Sequence, residues 1–284
     1  MVSAPSLIRH ISDTALWAAA FRAQETERSE ALFRDPFAAR LAGSRGFELA
    51  ARLSTPANST SWVTRTWLFD RFISQEITRK PDLVLNLGAG LDTRPYRMTL
   101  PASLRWVEVD APEILAYKEE LLASEKPSCS LERIGLDLLD RKARCTLFTA
   151  LHERAESILI VSEGLLIYLQ PGEVAALAAD LARHSCFERW ILEVVSPQVL
   201  ERMRHTVGPA LDQSGSAFLF GPAEGPDFFE RYGWSVVDVR GVLKTAVELG
   251  RTPIDRKFLH LIPDSPSDAL PWMGVCLLRA QQLL

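Results

Sequence analysis

The sequence predicts a doubly wound α/β fold with a mainly parallel sheet. From Pro81 onward, short apolar segments alternate with helix-like segments, as in repeated strand–helix units. The first apolar segment, Leu83-Val84-Leu85, lacks polar alternation, which is typical of a parallel strand buried on both faces. A Gly-x-Gly turn follows it and allows bare backbone to approach a ligand. We therefore expect an adenosine-type ligand at the end of this strand.

The N-terminal part of the chain, residues 1–80, is predicted to form a helical cap. A first helix is expected over about residues 12–27, where Ser-Asp-Thr at its start can accept hydrogen bonds from free N–H groups. Asp35 and Pro36 suit the start of a second helix, and Gly43 suits its end.

A polar loop at residues 54–60 is expected to separate a short third helix from a long fourth helix, over about residues 61–79. Apolar side chains recur along that helix at helical spacings and should pack on the sheet. Arg65 lies on the same stripe, which is an unusual place for a guanidinium.

Seven strands are predicted in the remaining core, residues 81–284. They cover residues 83–87, 105–109, 131–135, 158–161, 190–195, 234–239 and 273–278, with helix-like segments at residues 112–124, 141–155 and 172–185. A long insertion follows the fifth strand, and residues 197–230 are predicted to form a lid over the substrate. Residues 241–271 join the last two strands without a convincing helix, so a hairpin-type connection should make the last strand antiparallel.

Composition is that of an ordinary globular protein of one or two domains. The chain has 284 residues, of which 47% are hydrophobic and 24% are charged. Its net charge of −4 and pI of about 5.8 give no general attraction to nucleic acid or anionic membranes. No apolar run approaches the roughly 18 residues of a membrane span, and no signal peptide is visible. The four cysteines are scattered without a CxxC pair, so we expect free thiols, no metal site and a reducing cytoplasm.

Acidic residues follow the first four predicted strands, at the edge where ligands bind in an open α/β sheet. They are Asp92, Asp110, Asp137 and Glu163. Asp110 follows Gly90 by twenty residues, the spacing at which a second-strand acid meets a ribose diol. A phosphate site would contain few carboxylates and a third glycine, but Thr93 occupies that third position. The acids therefore favour S-adenosylmethionine, which has no phosphate but carries an amino group, a ribose diol, an adenine amine and a sulfonium.

Each candidate residue also has a purely structural interpretation. Asp92, Asp110 and Asp137 can cap helices or turns, and Glu163 can be a solvated acid at a strand end. Arg65 can pair with a surface carboxylate. A purely structural explanation of all these residues at once is less convincing than one for any single residue, because four successive strand ends carry an acid.

On these residues, the chain resembles the leucine carboxyl methyltransferase-like family of S-adenosylmethionine-dependent O-methyltransferases. The likeness is strongest to its bacterial branch of small-molecule and provisionally assigned methyltransferases. The most specific matching strings are GAGLDTR at residues 88–94 and EGLLIYL at residues 163–169. Further matching segments, from about residue 12 to residue 240, are residues 12–16, 22–26, 35–38, 65–66, 86–97, 107–110 and 233–234.

The resemblance implies a class I methyltransferase fold, with a Rossmann-like sheet of seven strands, the last antiparallel, and a helical N-terminal cap. It also implies roles at the cofactor site. Arg65 would hold the methionine carboxylate through charge-assisted hydrogen bonds. Gly88, Ala89, Gly90 and Asp92 would line the methionine and ribose portion.

The same resemblance implies contacts for the rest of the cofactor. Asp110 would accept hydrogen bonds from the ribose hydroxyls, and Asp137 with Leu138 would hold the adenine. Glu163 would lie by the amino group or the sulfonium. The match weakens at residues 197–225 and after Gly241, so it does not identify the methyl acceptor.

No general base can be assigned from the sequence. A carboxylate acceptor needs none, whereas a phenol or alcohol benefits from one. His205 lies in the predicted lid and is a weak candidate, because a solvated loop histidine is the simpler explanation. Tyr168 either faces the acceptor or packs. Phe218, Phe220, Phe228 and Phe229 would suit a mobile apolar lid over a hydrophobic acceptor, although such residues are more often ordinary packing residues.

The function expected from the sequence is therefore O-methylation of a small, apolar or aromatic acceptor in the cytoplasm. The expected partners exclude nucleic acid and membranes, and the protein is expected to be a monomer or a homodimer. One alternative is carboxyl methylation of a protein C-terminus, which needs an open groove. Another is a non-catalytic S-adenosylmethionine-binding protein whose acceptor cavity is filled. A nicotinamide dehydrogenase is a more distant alternative, because Thr93 replaces the third glycine.

Overall fold

The computed structural model describes residues 12–208, 217–266 and 271–281. Its helices are α1 Ser12–Thr26, α2 Ala38–Leu53, α3 Pro56–Ile77, α4 Arg94–Arg97, α5 Pro112–Leu122, α6 Arg141–His152, α7 Pro171–Ala182, α8 Pro197–Thr206 and α9 Val242–Glu248. Its strands are β1 Leu83–Leu87, β2 Arg105–Asp110, β3 Ser130–Gly135, β4 Ile158–Ser162, β5 Phe187–Val195, β6 Trp234–Gly241 and β7 Met273–Ala280. Residues 1–11 of the predicted cap and residues 209–216 of the predicted lid lie outside the described ranges.

The strands form one seven-stranded sheet in the order β3-β2-β1-β4-β5-β7-β6. β1 pairs in parallel with β2 and β4, so that Leu85 lies between Val107 and Ile160. β7 lies between β5 and β6 and is antiparallel to both. The predicted α/β fold with an antiparallel last strand is therefore confirmed. β2 and β3 lie on one side of β1, and β4 and β5 lie on the other, so the direction of the connections reverses between β1 and β4. In such sheets, ligands bind in the crevice at the carboxyl ends of the two strands where the direction reverses.

Helices cover both faces of the sheet, as its uninterrupted apolar strands require. On one face, Phe69 of α3 packs in a buried cluster with Val84. On the other face, Phe148 of α6 and Leu177 of α7 pack in a cluster with Leu85. The predicted packing of the long N-terminal helix on the sheet is therefore confirmed, while the division of the chain at residue 80 stays a prediction. Within the described ranges, no helix is both long and apolar enough to cross a membrane.

Gly43 ends a helical segment, as predicted: it adopts a non-helical φ of 55° at a kink, and a second segment of α2 continues from there to Leu53. The polar loop predicted over residues 54–60 is wrong beyond Thr55, because α3 begins at Pro56, and Thr55 and Asn58 form a capping box at its start. The Asn58 N–H donates to Thr55 Oγ1 at 3.2 Å, and the Thr55 N–H donates to Asn58 Oδ1 at 2.7 Å. The residue types that form a capping box also form polar loops, so composition alone misplaced this helix start.

The connection between β6 and β7 also differs from the prediction. It contains α9, which the sequence pattern did not reveal, because seven residues make only two helical turns. The connection still joins antiparallel strands, as expected.

Candidate functional site

A cavity of about 780 Å³ lies at the carboxyl ends of β1 and β4. This volume is in the range typical of small-molecule sites. Most of the residues predicted for the site line it, and these are Arg65, Gly88, Ala89, Gly90, Asp92, Asp110, Glu163 and Tyr168. The fold therefore gathers side chains and backbone from four separate parts of the sequence around one space.

The turn after β1 presents bare backbone to this cavity. Gly88 and Gly90 have positive φ angles of 68° and 44°, which residues with a side chain rarely adopt. A Cβ atom on Gly88 would lie 3.0 Å from the side chain of Leu165. Asp110 accepts hydrogen bonds from the N–H of Gly90 at 2.6 Å and of Ala111 at 2.7 Å. Asp110 therefore stabilises the turn besides lining the cavity; burial raises its pKa, and these N–H donors oppose that effect.

Arg94, which follows the glycine turn, forms ion pairs with three carboxylates. Its side chain is 2% exposed, and its nitrogens lie 2.7 Å from Asp70, 3.0 Å from Asp92 and 2.7 Å from Glu163. Asp92 also accepts a hydrogen bond from the side-chain amide of Asn86 at 2.8 Å. Burial alone would raise the pKa of Asp92, but the charges of Arg94, Lys118 and Arg97, with the hydrogen bond from the Arg94 N–H, together outweigh it and lower that pKa below its usual range. Asp92 is thus held ionised by its neighbours.

Arg65 lies on α3 and bridges two acids, Glu163 and Glu193. Its Nε lies 3.1 Å from Glu163 Oε1, and its Nη1 lies 3.4 Å from Glu193 Oε1. The guanidinium also lies over the ring of Trp62, with its carbon 4.9 Å from the ring centroid. Arg65 therefore pairs with carboxylates, as its structural interpretation expected, but both carboxylates line the cavity, and Glu193 is buried.

Glu193, near the end of β5, belongs to this site and was missed by the sequence analysis. It lines the cavity, and its Oε1 accepts a hydrogen bond from the N–H of Gly164 at 2.7 Å. Burial raises the pKa of Glu193 to about 7, although the charge of Arg65 acts in the opposite direction. The available signal was its position, since Glu193 is the single charged residue among residues 190–195.

The matching segments near the N-terminus converge on the glycine turn. Arg22 donates a hydrogen bond to Asp35 Oδ2 at 2.8 Å and another to the carbonyl of Leu91 at 2.6 Å. Arg97 lies 4.0 Å from the same Asp35 oxygen. These contacts therefore hold α1 and the residues before α2 against the glycine turn.

Three of the predicted site residues lie apart from the cavity lining. Asp137 is exposed and accepts a hydrogen bond from the N–H of Leu139 at 2.9 Å, while Leu138 is buried in the core cluster. Their proposed contact with adenine stays a prediction. The side chain of His205 is 76% exposed, and its Nε2 lies 2.9 Å from Glu201.

Tyr168 has a different environment, because it lines the cavity. Its ring centroid lies 5.5 Å from that of Phe218, and burial raises the pKa of its hydroxyl. Tyr168 is therefore better placed than His205 to contact a bound molecule.

Much of the remaining cavity wall is apolar. It comes from α3, the end of β5, α8, α9 and the segments around them, and includes Trp62, Val195, Val199, Met203, Phe218, Leu243, Ile254 and Met273. The cavity therefore combines a charged part beside the glycine turn with an apolar part suited to hydrophobic ligands.

The described residues contain no cluster of three or more His, Cys, Asp or Glu side chains placed to hold a metal ion. Cys129, Cys145, Cys186 and Cys276 are free thiols.

Comparison with known proteins connects this site to a family. A family model described as leucine carboxyl methyltransferase matches residues 15–182. The chain is 34% identical over 232 residues to a protein of Streptomyces coelicolor, covering 78% of this chain and 80% of that protein. It is 33% identical over 262 residues to a protein of Streptomyces avermitilis, covering 86% and 90% respectively. Both relatives carry the provisional name of an S-adenosyl-L-methionine-dependent methyltransferase.

Solved structures share the fold at lower sequence identity. A provisionally named methyltransferase from Thermobifida fusca superposes with a TM-score of 0.59 at 15% identity, covering 97% of this chain and 96% of that one. A DUF574 family protein from Streptomyces avermitilis gives a TM-score of 0.57 at 15% identity, covering 92% and 96%. At this level of identity, the two structures support the fold alone.

Proposed function

Because this chain belongs to the leucine carboxyl methyltransferase family, we propose that it transfers a methyl group from S-adenosyl-L-methionine to an oxygen atom of a small, apolar or aromatic acceptor. The family resemblance, the cofactor and the general methyltransferase activity agree with the predictions from the sequence. Transfer to an oxygen atom and the apolar or aromatic class of the acceptor are the two parts of the proposal that go beyond the family.

The residues around the cavity fit this cofactor. S-adenosyl-L-methionine has no phosphate group, so the carboxylates of Asp110 and Glu193 do not repel it. Arg65 offers a guanidinium to the methionine carboxylate. Glu193 has a buried Oε2 atom without a hydrogen-bond donor among the described residues, which suits a ligand that carries positive charge. Gly88 and Gly90 leave backbone open to the ligand.

One observation carries the proposal: a single cavity joins the glycine turn to an apolar wall formed by residues such as Trp62, Met203 and Phe218. A cofactor lying along the turn would place its reactive end toward that wall. An apolar or aromatic acceptor is the kind of molecule that gains most from leaving water for such a wall.

The reaction requires positioning more than acid–base chemistry. When bound, the cofactor supplies a methyl group on a sulfonium, which is already an activated leaving group. The protein therefore has to hold the acceptor oxygen in line with that methyl group and exclude water, and such positioning contributes about 7–11 kcal/mol to rate acceleration. The apolar side chains of Trp62, Val195 and Phe218 provide the dry surface, and Tyr168 offers a hydroxyl group beside it.

The test is production of S-adenosylhomocysteine from S-adenosyl-L-methionine with a panel of phenols, alcohols and carboxylic acids, followed by chromatography. We expect product with at least one apolar or aromatic oxygen acceptor. Amines and thiols of matched shape serve as controls, and turnover with these alone would contradict O-methylation.

The same assay separates the alternative functions. Turnover only with a peptide that ends in leucine would indicate a protein carboxyl methyltransferase. Cofactor binding without product from any acceptor would indicate a non-catalytic binding protein. Titration calorimetry with NAD is the control for the cofactor, because tight binding of NAD would contradict the assignment.

A further inference from the structure

The charged residues that line the cavity are divided between its two parts. Its carboxylates all lie at the strand ends and the glycine turn, and they are Asp92, Asp110, Glu163 and Glu193. The apolar part has no carboxylate among the described residues that line it, but it has Arg202 on α8 and Arg251 after α9. A molecule bound in the apolar part therefore meets cationic side chains and no acid, which favours an anionic group on that molecule.

Arg251 already has partners within the protein. Its Nη2 lies 2.6 Å from Glu25 Oε1, and the side chain of Glu25 is only 3% exposed. The same nitrogen donates a hydrogen bond to the carbonyl of Glu30. The charge of Arg251 is therefore balanced by a buried acid, and its side chain joins the segment after α9 to the end of α1.

Arg202 differs from every other charged residue that lines the cavity. Each of the others takes part in an ion pair or a hydrogen bond, whereas the Arg202 side chain has neither within the described ranges. The acid beside it on α8, Glu201, has other partners, because its carboxylate lies 3.6 Å from Arg204 Nη1 and 2.9 Å from His205 Nε2. The N–H donors of the Arg202 guanidinium are thus available to a ligand.

α8 presents Arg202 to the cavity together with apolar side chains. Val199, Arg202 and Met203 are spaced three and four residues from Val199 and all line the cavity, so they share one face of the helix. Val199 and Met203 are half-buried, whereas Arg202 is exposed, so its guanidinium lies where the apolar wall meets solvent. Ser196 begins the helix at the end of β5, and Arg202 lies about 9 Å further along the helix axis. The guanidinium is therefore at the opening of the cavity, away from the strand ends that carry the carboxylates.

We propose that the methyl acceptor is a hydroxy acid with an apolar or aromatic body, and that Arg202 determines specificity by binding its carboxylate at the opening of the cavity. This inference rests on the proposed function, because it concerns the acceptor of the same reaction. The carboxylate at Arg202 is not the group that reacts, since the cofactor lies along the glycine turn. The hydroxyl oxygen at the other end of the acceptor forms the new bond to the methyl carbon, sulfur keeps the electron pair of the bond that breaks, and the hydroxyl proton is released to solvent.

The test compares phenolic probes that differ in charge. The probes are p-hydroxybenzoate, p-hydroxyphenylacetate and p-hydroxyphenylpropionate, which place the carboxylate at increasing distances from the hydroxyl, each with its primary amide. Calorimetry measures their binding to the protein saturated with S-adenosylhomocysteine, and turnover is measured with S-adenosyl-L-methionine. The wild type should bind and methylate at least one acid about three- to tenfold better than its amide, as expected for an ion pair with an exposed arginine.

Variants of Arg202 assign the preference to this side chain. Arg202→Gln should abolish the preference for the acid by raising its KM, with kcat little changed, because the contact is made equally before and during methyl transfer. Arg202→Lys keeps the charge and should retain most of the preference. Arg202→Glu should reverse it, so that p-hydroxyphenethylamine binds better than the acid. Arg154→Gln is the matched control, because Arg154 is an exposed arginine that pairs with Glu132 and does not line the cavity, and it should keep the preference of the wild type.

The outcomes distinguish this inference from the proposed function. If no acid binds better than its amide, or if Arg202→Gln keeps the preference, this inference is wrong, and Arg202 is an ordinary solvated arginine. A methyl ester as product in place of the phenyl ether would also overturn it, since the carboxylate would then be the reacting group. If acids bind selectively through Arg202 but no acceptor yields S-adenosylhomocysteine, the anion contact is supported and the proposed methyl transfer is wrong.

Discussion

The hydroxyl group of Thr93 donates a hydrogen bond to Asp35 Oδ2 at 2.6 Å, and both residues are almost fully buried. Arg22 of α1 donates to the same oxygen at 2.8 Å. The residue that replaces the third glycine of a dinucleotide turn therefore has a structural role of its own, because it ties the cofactor turn to the N-terminal helices.

This contact predicts a loss of stability on Thr93→Val. The variant keeps the shape of the side chain but removes the donor to a buried carboxylate, so the free energy of unfolding should fall by about 1–3 kcal/mol. Urea unfolding measures the change. Thr93→Ser keeps the hydroxyl and should lose clearly less; equal stability of the valine variant and the wild type would show that the contact is unimportant.

Asp110 should contribute directly to cofactor affinity. Asp110→Ala removes the predicted ribose contact and also the hydrogen bond to the Gly90 N–H, so calorimetry should show at least an approximately tenfold weaker binding of S-adenosylhomocysteine. Asp140→Ala is the control, because the Asp140 side chain accepts a hydrogen bond from the Ala143 N–H at the start of α6 and does not line the cavity. Affinity that is the same in both variants would exclude Asp110 from the site.

Asp137→Ala tests the adenine contact that the family resemblance implies. If Asp137 holds the adenine, the variant should lower the affinity for S-adenosylhomocysteine several-fold, by roughly the 1 kcal/mol of one hydrogen bond. Affinity unchanged from the wild type would place the adenine elsewhere along the cavity.

Arg65→Ala should affect both binding and stability. It removes the group that we expect to bind the methionine carboxylate, and it leaves Glu163 and Glu193 with one cation fewer. Breaking a buried ion pair by removing one partner costs about 3–5 kcal/mol, so the melting temperature should fall as well as the affinity. Arg65→Lys restores the charge without the planar fork and should recover stability more than affinity. Unchanged affinity in the alanine variant would contradict the placement of the carboxylate.

Glu193 should give the protein a pH-dependent stability. Burial raises its pKa to about 7, Glu163 adds to this rise, and Arg65 and Arg94 oppose it. Between the ordinary glutamate pKa of 4.5 and about pH 7, the unfolded chain releases this proton more readily than the folded protein. The contribution of Glu193 to the free energy of unfolding therefore decreases as the pH rises through this window.

Urea unfolding of the wild type and of Glu193→Gln at several pH values measures that contribution, because the other titrating groups largely cancel in the difference. The stability of the variant relative to the wild type should increase from pH 5 to pH 8, since glutamine has no proton to release. A difference that does not change with pH would contradict the raised pKa.

Tyr168 and His205 should differ in their effect on turnover. Once an acceptor is known, Tyr168→Phe should lower kcat at least about tenfold, because the tyrosine lines the cavity and its hydroxyl is placed to orient an acceptor oxygen. His205→Ala should leave kcat within about twofold, because this side chain is exposed and pairs with Glu201. The reverse order would indicate that His205, on α8, contacts the substrate.

Local patterns in the sequence predicted the strands well. The apolar segment at residues 83–87 coincides with β1, and the remaining strands differ from the prediction only near their ends. Short-range polar signals were less informative. The capping box of Thr55 and Asn58 has the composition of a loop, and the two turns of α9 are too few to show a period.

By itself, the sequence determined the fold class, the family and the position of the cofactor turn. It could do so because strand burial, the Gly88–Gly90 turn and the spacing to Asp110 are properties of residues close together along the chain. Only the tertiary structure decided which charges meet. Arg65, Glu163 and Glu193 come from α3, the end of β4 and β5, and their proximity depends on how the helix packs on the sheet. Burial and unpaired atoms arise from that packing, so the structure was needed to show that two guanidiniums contact Glu163, while Glu193 keeps an oxygen without a donor among the described residues.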